Sequence, residues 1–189
     1  MRPIINAFND RMREIIIPGT YLCLDECMSA WLGMEATIGG QWGMPHVTKI
    51  PRKPQGVGCE LKSLADCDSG VILTLEIMEG KAREQRKQFV DISAGAGYAL
   101  RMAKAYWNSF RTIIADSAFS SVKTALALRA RGLYFIGNVK TAHREFPKKF
   151  FHAWAEDRTH RPRKGEFKVL TTTEPAGQSV PQACTVGAV

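Results

Sequence analysis

The sequence predicts a mixed α/β fold, and three observations support that class. Apolar runs such as Tyr21–Leu24 and Leu133–Val139 have the length and composition of buried strands. Residues 58–78 have the pattern of a β-hairpin, and helical patterns separate the strand runs. An order of strand, hairpin, helix, strand, helix and strand is typical of a mixed sheet flanked by helices.

The composition sets limits on size and partners. The chain has 189 residues, of which 45% are hydrophobic, so one domain with its own core is expected. We expect this domain to span residues 1–173, with residues 174–189 as a loose tail. No stretch approaches the ~20 apolar residues of a membrane span, and no signal peptide is expected. The 26 basic against 18 acidic residues favour a polyanionic partner. The five scattered cysteines are interpreted as free thiols rather than as a metal or redox site.

The first element is predicted to be a helix over Pro3–Ile17, which the Pro18-Gly19 pair ends. Its core-facing stripe would consist of four apolar residues at helical spacing, namely Ile4, Phe8, Met12 and Ile15.

A short apolar strand is predicted next, over Tyr21–Glu26, and it ends in two acids. Because side chains alternate between the faces of a strand, Asp25 would share a face with Cys23, and Leu22 and Leu24 would occupy the other. A carboxylate at the end of a buried strand is costly unless something pairs with it.

Residues 28–54 are rich in glycine and proline, and we expect a long inserted loop there. Its end is basic and contains Arg52 and Lys53. These two residues could bind a phosphate backbone, or they could belong to a solvated loop, and the sequence favours neither reading.

A hairpin is predicted from strands at 58–65 and 71–78, joined by a turn at 66–70. Asp66 and Asp68 are interpreted as turn residues rather than metal ligands, because tight turns prefer Asp, Ser and Gly. The charged stretch Glu79–Lys87 is expected to be a solvated connection.

A helix capped near Ser93 is expected to follow. Gly95 and Gly97 could belong to a nucleotide-binding loop, but the motif is incomplete at Leu100, so the helix is favoured over a nucleotide-binding enzyme. The core face of this helix would comprise Tyr98, Met102, Ala105 and Tyr106.

A second strand that ends in an acid is predicted over Phe110–Asp116. Either Ser120 or Ser121 would cap the next helix, which would end at Gly132. The apolar face of that helix would comprise Val122, Ala125, Leu126 and Ala130.

The two acidic strands lead to a prediction about a site. If they are parallel neighbours, Asp25 and Asp116 meet at one end of the sheet. Two facing carboxylates repel, and a divalent cation between them removes the repulsion. Both aspartates are therefore candidate metal ligands and catalytic residues of a nuclease-type site.

The segment 140–168 is basic and contains several aromatic side chains. Basic residues interleaved with aromatics suit phosphate contact and base stacking, so DNA binding is favoured over a solvated basic surface. The candidate DNA-binding residues of this segment are Lys140, Arg144, Lys148 and Lys149. Residues 167–173 are predicted to form one more strand.

These stretches resemble the transposase domain of the piggyBac family, including its domesticated members. The resemblance covers about residues 2–173, and it rests on the order and spacing of several motifs rather than on any single one. The motifs are Arg2-Pro-Ile-Ile-Asn-Ala-Phe-Asn with Ile17-Pro-Gly, Leu24-Asp25-Glu26, Pro51-Arg-Lys-Pro with Gly58-Cys-Glu-Leu-Lys, Ile114-Ala-Asp116-Ser-Ala-Phe119-Ser-Ser121, and Ile136-Gly137-Asn-Val-Lys140 with Phe146-Pro147.

The resemblance implies a ribonuclease-H-like fold in which three aspartates hold two Mg²⁺ or Mn²⁺ ions for DNA cleavage and strand transfer in the nucleus. Asp25 and Asp116 match the first two of these acids, and Ser117 stands where the family has Asn. We expect the third aspartate, and the regions through which the family dimerises, to be missing here, and activity to be impaired. The alternative is a decayed or domesticated remnant that binds DNA or protein without catalysis.

Overall fold

The structure is a computed structural model in which residues 2–31, 46–51, 54, 56–140, 146–157, 159, 163, 165–172 and 183–188 are described. They fall into two compact units, Met1–Asn138 and Val139–Val189. The domain boundary expected from the sequence, at residue 173, lies inside the second unit. None of the described helices combines the length and the apolar character that a membrane crossing needs.

The first unit is built on one mixed sheet. Its elements are α1 (Arg2–Ile15), β1 (Tyr21–Ala30), β2 (Thr48–Lys49), β3 (Val57–Asp66), β4 (Ile72–Ile77), α2 (Lys81–Glu84), α3 (Ala94–Met102), β5 (Thr112–Ala115), α4 (Val122–Arg129) and β6 (Tyr134–Gly137). The strand order is β2-β3-β1-β5-β6, and β4 also pairs with β3. β1 runs antiparallel to β3 and parallel to β5, and β5 runs parallel to β6. The predicted mixed sheet flanked by helices is thereby confirmed.

The core lies on one face of this sheet. Leu22 and Leu24 of β1 are fully buried there, whereas Tyr21 is 47% exposed, so the predicted alternation of β1 is confirmed. Ile113 of β5 and Leu64 of β3 complete the layer against α3 and α4. β1 continues to Ala30, so the loop that we expected from residue 28 begins later, and its residues 32–45 lie outside the described part.

Helix α1 buries only the middle of the predicted apolar stripe, where Phe8 and Met12 are half-buried. Ile4 is 74% exposed and Ile15 is 51% exposed, whereas the polar Asn9 is buried. The Asn9 side-chain amide donates to the Leu75 carbonyl at 2.9 Å and accepts from the Leu75 N–H at 2.8 Å. The helix is therefore fixed to β4 by hydrogen bonds at Asn9, and this contact rather than apolar periodicity sets its buried face.

The hairpin forms as predicted, from β3 and β4. Asp66 belongs to its turn: the carboxylate accepts the Ser69 hydroxyl at 2.6 Å, the Ser69 N–H at 3.0 Å and the Gly19 N–H at 2.9 Å. These bonds, led by that of the Ser69 hydroxyl, lower the pKa of Asp66. The carboxylate thus organises the turn and ties it to the start of β1.

The stretch Glu79–Lys87 is only in part the solvated connection that we expected, because residues 81–83, 85 and 86 are exposed and the others are half-buried. It contains α2 and contributes to an ion-pair network with β4 and α3, whose members are Glu76, Glu79, Glu84, Lys87 and Arg101. Their side chains are only 12–18% exposed. For Glu79, Glu84 and Lys87 the prediction failed because the charges satisfy one another, which allows them to pack near the core.

Helix α3 begins at Ser93, whose hydroxyl accepts the Ala96 N–H as the predicted cap. Tyr98, Met102 and Tyr106 are buried as predicted, but Ala105 is exposed. The reason is that α3 ends at Met102 and a short 3-10 turn follows, which changes the periodicity.

The two glycines of α3 serve close packing. A Cβ on Gly95 would lie 3.1 Å from the Phe119 backbone, and one on Gly97 would lie 2.8 Å from the Phe89 carbonyl oxygen. Their role in the fold is therefore to let neighbouring backbone approach, which agrees with a helix rather than a phosphate loop.

Ser121 caps α4 and accepts the Thr124 N–H. The buried face of this helix is formed by Thr124 and Leu128, and Leu126 is 40% exposed, so the predicted face is wrong. The Thr124 hydroxyl donates to the Phe119 carbonyl at 2.7 Å, and this bond rotates a polar residue into the core. Gly132 ends the segment with φ of 66°, as expected of a helix terminator.

The second unit contains α5 (Lys148–Ala155), β7 (Phe167–Thr172) and β8 (Ala183–Ala188), with β7 and β8 antiparallel. Phe151 of α5 is its buried residue and stacks on Phe146 with ring centroids 5.6 Å apart. The tail that we expected to be loose over residues 174–189 includes β8, whose residues 183–188 pair with β7 along its whole length.

Candidate functional site

The parallel pairing of β1 and β5 places the two acids next to each other. Leu22, Cys23 and Leu24 pair with Ile113, Ile114 and Ala115 in register. Asp25 and Asp116 directly follow the last of these pairs, and the carboxyl ends of parallel strands lie at the same edge of a sheet. The geometry that the sequence predicted for these acids is present, and their role remains a prediction.

A third carboxylate joins them. One carboxylate oxygen from each of Asp25, Glu26 and Asp116 lies within 4.8 Å of the others. We call these three residues the acid triad. Glu26 was not predicted as a site residue, although its position directly after Asp25 was the signal that could have indicated it.

Two consecutive residues of a strand normally point to opposite faces. At this edge β5 has already ended at Ala115, whereas β1 continues alongside β3. Beyond Ala115 no strand of the described residues lies beside β1 on the side where β5 was paired. The side chains of Asp25 and Glu26 are therefore not kept apart there, and the longer Glu26 side chain can reach the carboxylates of Asp25 and Asp116.

Asp116 is held by the turn that follows β5. Its Oδ1 accepts the Ala118 N–H at 2.8 Å, which is the hydrogen bond of an Asx turn. Its carbonyl accepts the Ser120 hydroxyl at 2.6 Å and the Ser120 N–H at 3.1 Å. Ser120 is 2% exposed, so a buried hydroxyl fixes the backbone of the second acid.

We call the two hydrogen bonds from Ser120 to the Asp116 carbonyl the Ser120 clamp. A glycine on β6 leaves room for it. A Cβ on Gly137 would lie 2.2 Å from the Ser120 Oγ, which is far inside contact distance. A side chain at position 137 would displace the Ser120 hydroxyl and with it the Asp116 carbonyl. Gly137 is thus part of the support of the site.

Asp25 is held more locally. Its Oδ1 accepts the Glu26 N–H at 2.7 Å, and its carbonyl accepts the Ser63 hydroxyl at 3.3 Å. Cys23 lies on the same face of β1, two residues before Asp25. The pKa of its thiol is raised mainly by burial, and to a smaller extent by the negative charges of Cys67, Asp25 and Asp116. Both aspartates therefore direct negative potential toward this face of β1.

The donor set fits a hard divalent cation. All three donors are carboxylate oxygens, which Mg²⁺, Mn²⁺ and Ca²⁺ prefer. Two oxygens bound to one ion lie at most about 5 Å apart for Ca²⁺ and about 4 Å apart for the smaller Mg²⁺. The 4.8 Å limit within the acid triad meets the first condition, and the smaller ion would draw the carboxylates together by less than about 1 Å.

The candidate DNA-binding residues are placed only in part. Lys140, Lys148 and Lys149 are exposed and belong to the second unit, the latter two on the first turn of α5. Arg52, Lys53 and Arg144 lie outside the described residues.

Comparisons with known proteins agree with this architecture. A family model described as Transposase IS4 matches residues 1–177. No curated protein sequence matches the chain. Among solved structures, the chain is similar to the piggyBac transposase in a cryo-EM structure of its synaptic complex with hairpin DNA, with a TM-score of 0.69 and 21% sequence identity. The match covers 90% of this chain and 32% of that chain, so this chain spans about a third of the solved transposase. The likeness shows a shared fold, and the predicted ribonuclease-H-like sheet is confirmed.

Proposed function

Because the chain belongs to the transposase family described as Transposase IS4, we propose that it carries the catalytic core of a piggyBac-like DNA transposase. In this proposal the acid triad binds a divalent cation, Mg²⁺ or Mn²⁺. The observation that carries the proposal is the convergence of three carboxylate oxygens within 4.8 Å at the carboxyl edge of β1 and β5.

The chain's own residues would prepare the site for a phosphodiester. The carboxylates of Asp25, Glu26 and Asp116 would hold the ion, which when bound lowers the pKa of a coordinated water and offsets negative charge that develops on phosphate. Without a cation, three carboxylates repel a DNA phosphate, so the triad would admit its substrate only in the metal-bound state. The Asx turn of Asp116 and the Ser120 clamp keep this carboxylate in place without relying on the ion.

Nucleic acid is the proposed partner. The chain carries a net charge of +8, and Lys148 and Lys149 lie exposed at the start of α5, next to Phe150, which is 38% exposed. Such a surface suits a phosphate backbone with nearby stacking. The solved relative is itself a complex with hairpin DNA. Nuclear localisation belongs to the same proposal, and a fluorescent fusion of the chain would test it.

Cation binding is the first test. The chain is titrated with MnCl₂, and binding is measured by calorimetry and by thermal unfolding. The wild type should bind the ion, and Asp25→Asn and Asp116→Asn should each abolish binding. At 100 times the dissociation constant, Mn²⁺ should raise the free energy of unfolding by about 2.7 kcal/mol. Asp91→Asn, an exposed acid outside the triad, is the matched control. An unchanged unfolding curve of the wild-type chain in Mn²⁺ would refute the metal site.

Strand cleavage is the second test. Cleavage of a transposon-end duplex with Mn²⁺ present should be weak, because the third converging carboxylate is Glu26, the chain neighbour of Asp25, and not a third aspartate from another part of the fold. Asp116→Asn should remove what activity there is. Cleavage that persists in this variant would assign the chemistry elsewhere.

A second candidate function is DNA binding without catalysis, which the exposed basic start of α5 favours. In that case duplex affinity should fall steeply with salt and survive Asp25→Asn. Replacing Lys148 and Lys149 by alanine should weaken binding and flatten the salt dependence. Binding that depends on Mn²⁺ and on Asp25 would favour the transposase core.

A further inference from the structure

We propose that the buried ion pair of Glu60 and Lys62 on β3 positions the acid triad for cation binding. The inference rests on the proposed metal site and adds a pair of residues to it. Both side chains lie on the core face of β3, together with Leu64, and neither belongs to the triad.

Lys62 is the one buried lysine or arginine among the described residues of the first unit. It is 7% exposed, and its ammonium forms an ion pair with Glu60, which is 6% exposed. Removing two charges from water is expensive, and a hydrophobic pair of similar volume usually serves stability as well or better. Fold stability alone therefore gives little reason for this pair.

The first link from Lys62 to the acid triad is the strand register. Lys62 pairs directly with Glu26 across the antiparallel β1 and β3 strands. Directly opposite residues in such a pair have Cβ atoms about 4.5–5.5 Å apart. The buried ammonium group is thus anchored on the residue that faces the third carboxylate.

The second link is an aromatic contact. The Lys62 ammonium lies 5.1 Å from the centroid of the Phe119 ring and 5.3 Å from that of Tyr98. Phe119 is 2% exposed, and its N–H donates to the Asp116 carbonyl at 3.3 Å. A cation over an aromatic face is attracted to it, so Lys62 holds the ring that closes the Asp116 turn.

Lys62 is therefore in contact with both parts that carry the acid triad: β1 by register and the Asp116 turn by its aromatic contact. Glu60 keeps the ammonium in place and makes the pair neutral. A neutral pair leaves the charge of the site unchanged, and its effect on cation binding comes from geometry. Lys62 is a positioning residue in this scheme, since it acts through Glu26 and Phe119.

The test replaces the whole pair. Glu60→Met/Lys62→Met exchanges one neutral pair for another of similar volume, so the net charge near the triad does not change. We expect the double variant to unfold at the same or a higher urea concentration than the wild type. Its Mn²⁺ affinity, measured by calorimetry, should fall about tenfold or more, as is usual when the residues that orient metal ligands are removed.

Two further variants separate positioning from packing. Lys62→Arg keeps the charge and the contact with Phe119, and it should retain most of the Mn²⁺ affinity. Arg11→Met/Glu14→Met removes an exposed ion pair from α1 and should change neither stability nor affinity.

The outcomes distinguish this inference from the proposed function. If Asp116→Asn abolishes Mn²⁺ binding while the folded double variant binds like the wild type, the positioning role is overturned and the metal site stands. If the double variant and Lys62→Arg lose affinity equally, a specific role of the buried cation is also overturned. If the wild-type chain does not bind Mn²⁺, both proposals fail together.

Discussion

The first unit contains two groups of carboxylates, the ion-pair network and the acid triad, and their negative charges are surrounded in opposite ways. In the ion-pair network, the carboxylate of Glu76 binds Lys87 at 2.9 Å and Arg101 at 2.8 Å. In the acid triad, carboxylates approach other carboxylates, and the described partners of Asp25 and Asp116 are backbone N–H groups. The network supplies its cations from the chain, whereas the triad gathers negative charge at a sheet edge.

The difference separates structural from functional charge. A carboxylate that is paired within the chain contributes to stability and leaves nothing for a ligand. Within the network, burial alone would raise the pKa of Glu84, but hydrogen bonds from Lys87 and Tyr98 hold this pKa below its usual range. A group of carboxylates that are held in place beside one another gains stability when a cation arrives from solution.

We expect the largest effect on stability when a cation is removed from the ion-pair network. Arg101→Met should lower the free energy of unfolding by about 3 kcal/mol, because it leaves Glu76 in a low-dielectric site with one cation fewer. Urea unfolding measures the change, and the exposed Lys123→Met is the control. Mn²⁺ affinity should stay unchanged in Arg101→Met if the network and the triad are independent.

Gly137→Ala disturbs the Ser120 clamp, which holds Asp116 of the acid triad in place. The added Cβ would lie 2.2 Å from the Ser120 Oγ, and overpacking of this kind costs about 1–3 kcal/mol. We expect reduced stability together with reduced Mn²⁺ affinity, because the Ser120 hydroxyl fixes the Asp116 carbonyl. Adding Ser120→Ala should recover part of the stability but not the affinity. Full recovery of both would show that the clamp does not orient Asp116.

Asp116→Asn should have a smaller effect on the free energy of unfolding, and an effect of opposite sign, because it removes a charge from the acid triad. Asn can still accept the Ala118 N–H, so the Asx turn is preserved. In metal-free buffer the variant should be more stable than the wild type by about 1 kcal/mol or less, since two charges 4 Å apart in water repel by about that amount. Thermal unfolding in a chelator measures the difference, and a destabilised variant would show that the carboxylates do not repel.

The smallest effect concerns Asp66, a carboxylate that the hairpin turn satisfies. Its pKa is lowered in the folded state, so its contribution to stability is present above the ordinary pKa of about 3.9 and is lost as the pH falls through the lower folded value. Asp66→Asn should therefore be less stable than the wild type at neutral pH, with the difference shrinking below about pH 4. A pH-independent difference would assign the effect to lost turn geometry.

Local patterns in the sequence were enough to predict most of the sheet. The strands around Leu22, Leu64 and Ile113 were recognisable because each alternates or runs apolar over the length of a strand. Helix faces were predicted poorly where polar contacts decide them. Asn9 and Thr124 are buried through specific hydrogen bonds to Leu75 and Phe119, and no periodicity of apolar residues indicates such bonds.

The candidate site was predictable only in its two aspartates. The similar endings of β1 and β5 indicated Asp25 and Asp116, since parallel neighbours bring such endings together. Glu26 was missed because strand alternation assigns it to the opposite face, and only the early end of β5 allows it to join. Glu60 and Lys62 were missed because charged residues in a strand suggest an exposed face, although their alternation with Leu64 places them inward.

The double hydrogen bond between Asn9 and Leu75 has a consequence for the solution behaviour of the chain. By offering an N–H and a carbonyl to β4, the amide imitates a neighbouring strand and occupies the open margin of the sheet. Free strand margins template association with other chains. Because Asn9 of α1 covers this edge, we expect Asn9→Ala to lead to self-association at concentrations where the wild type stays dispersed.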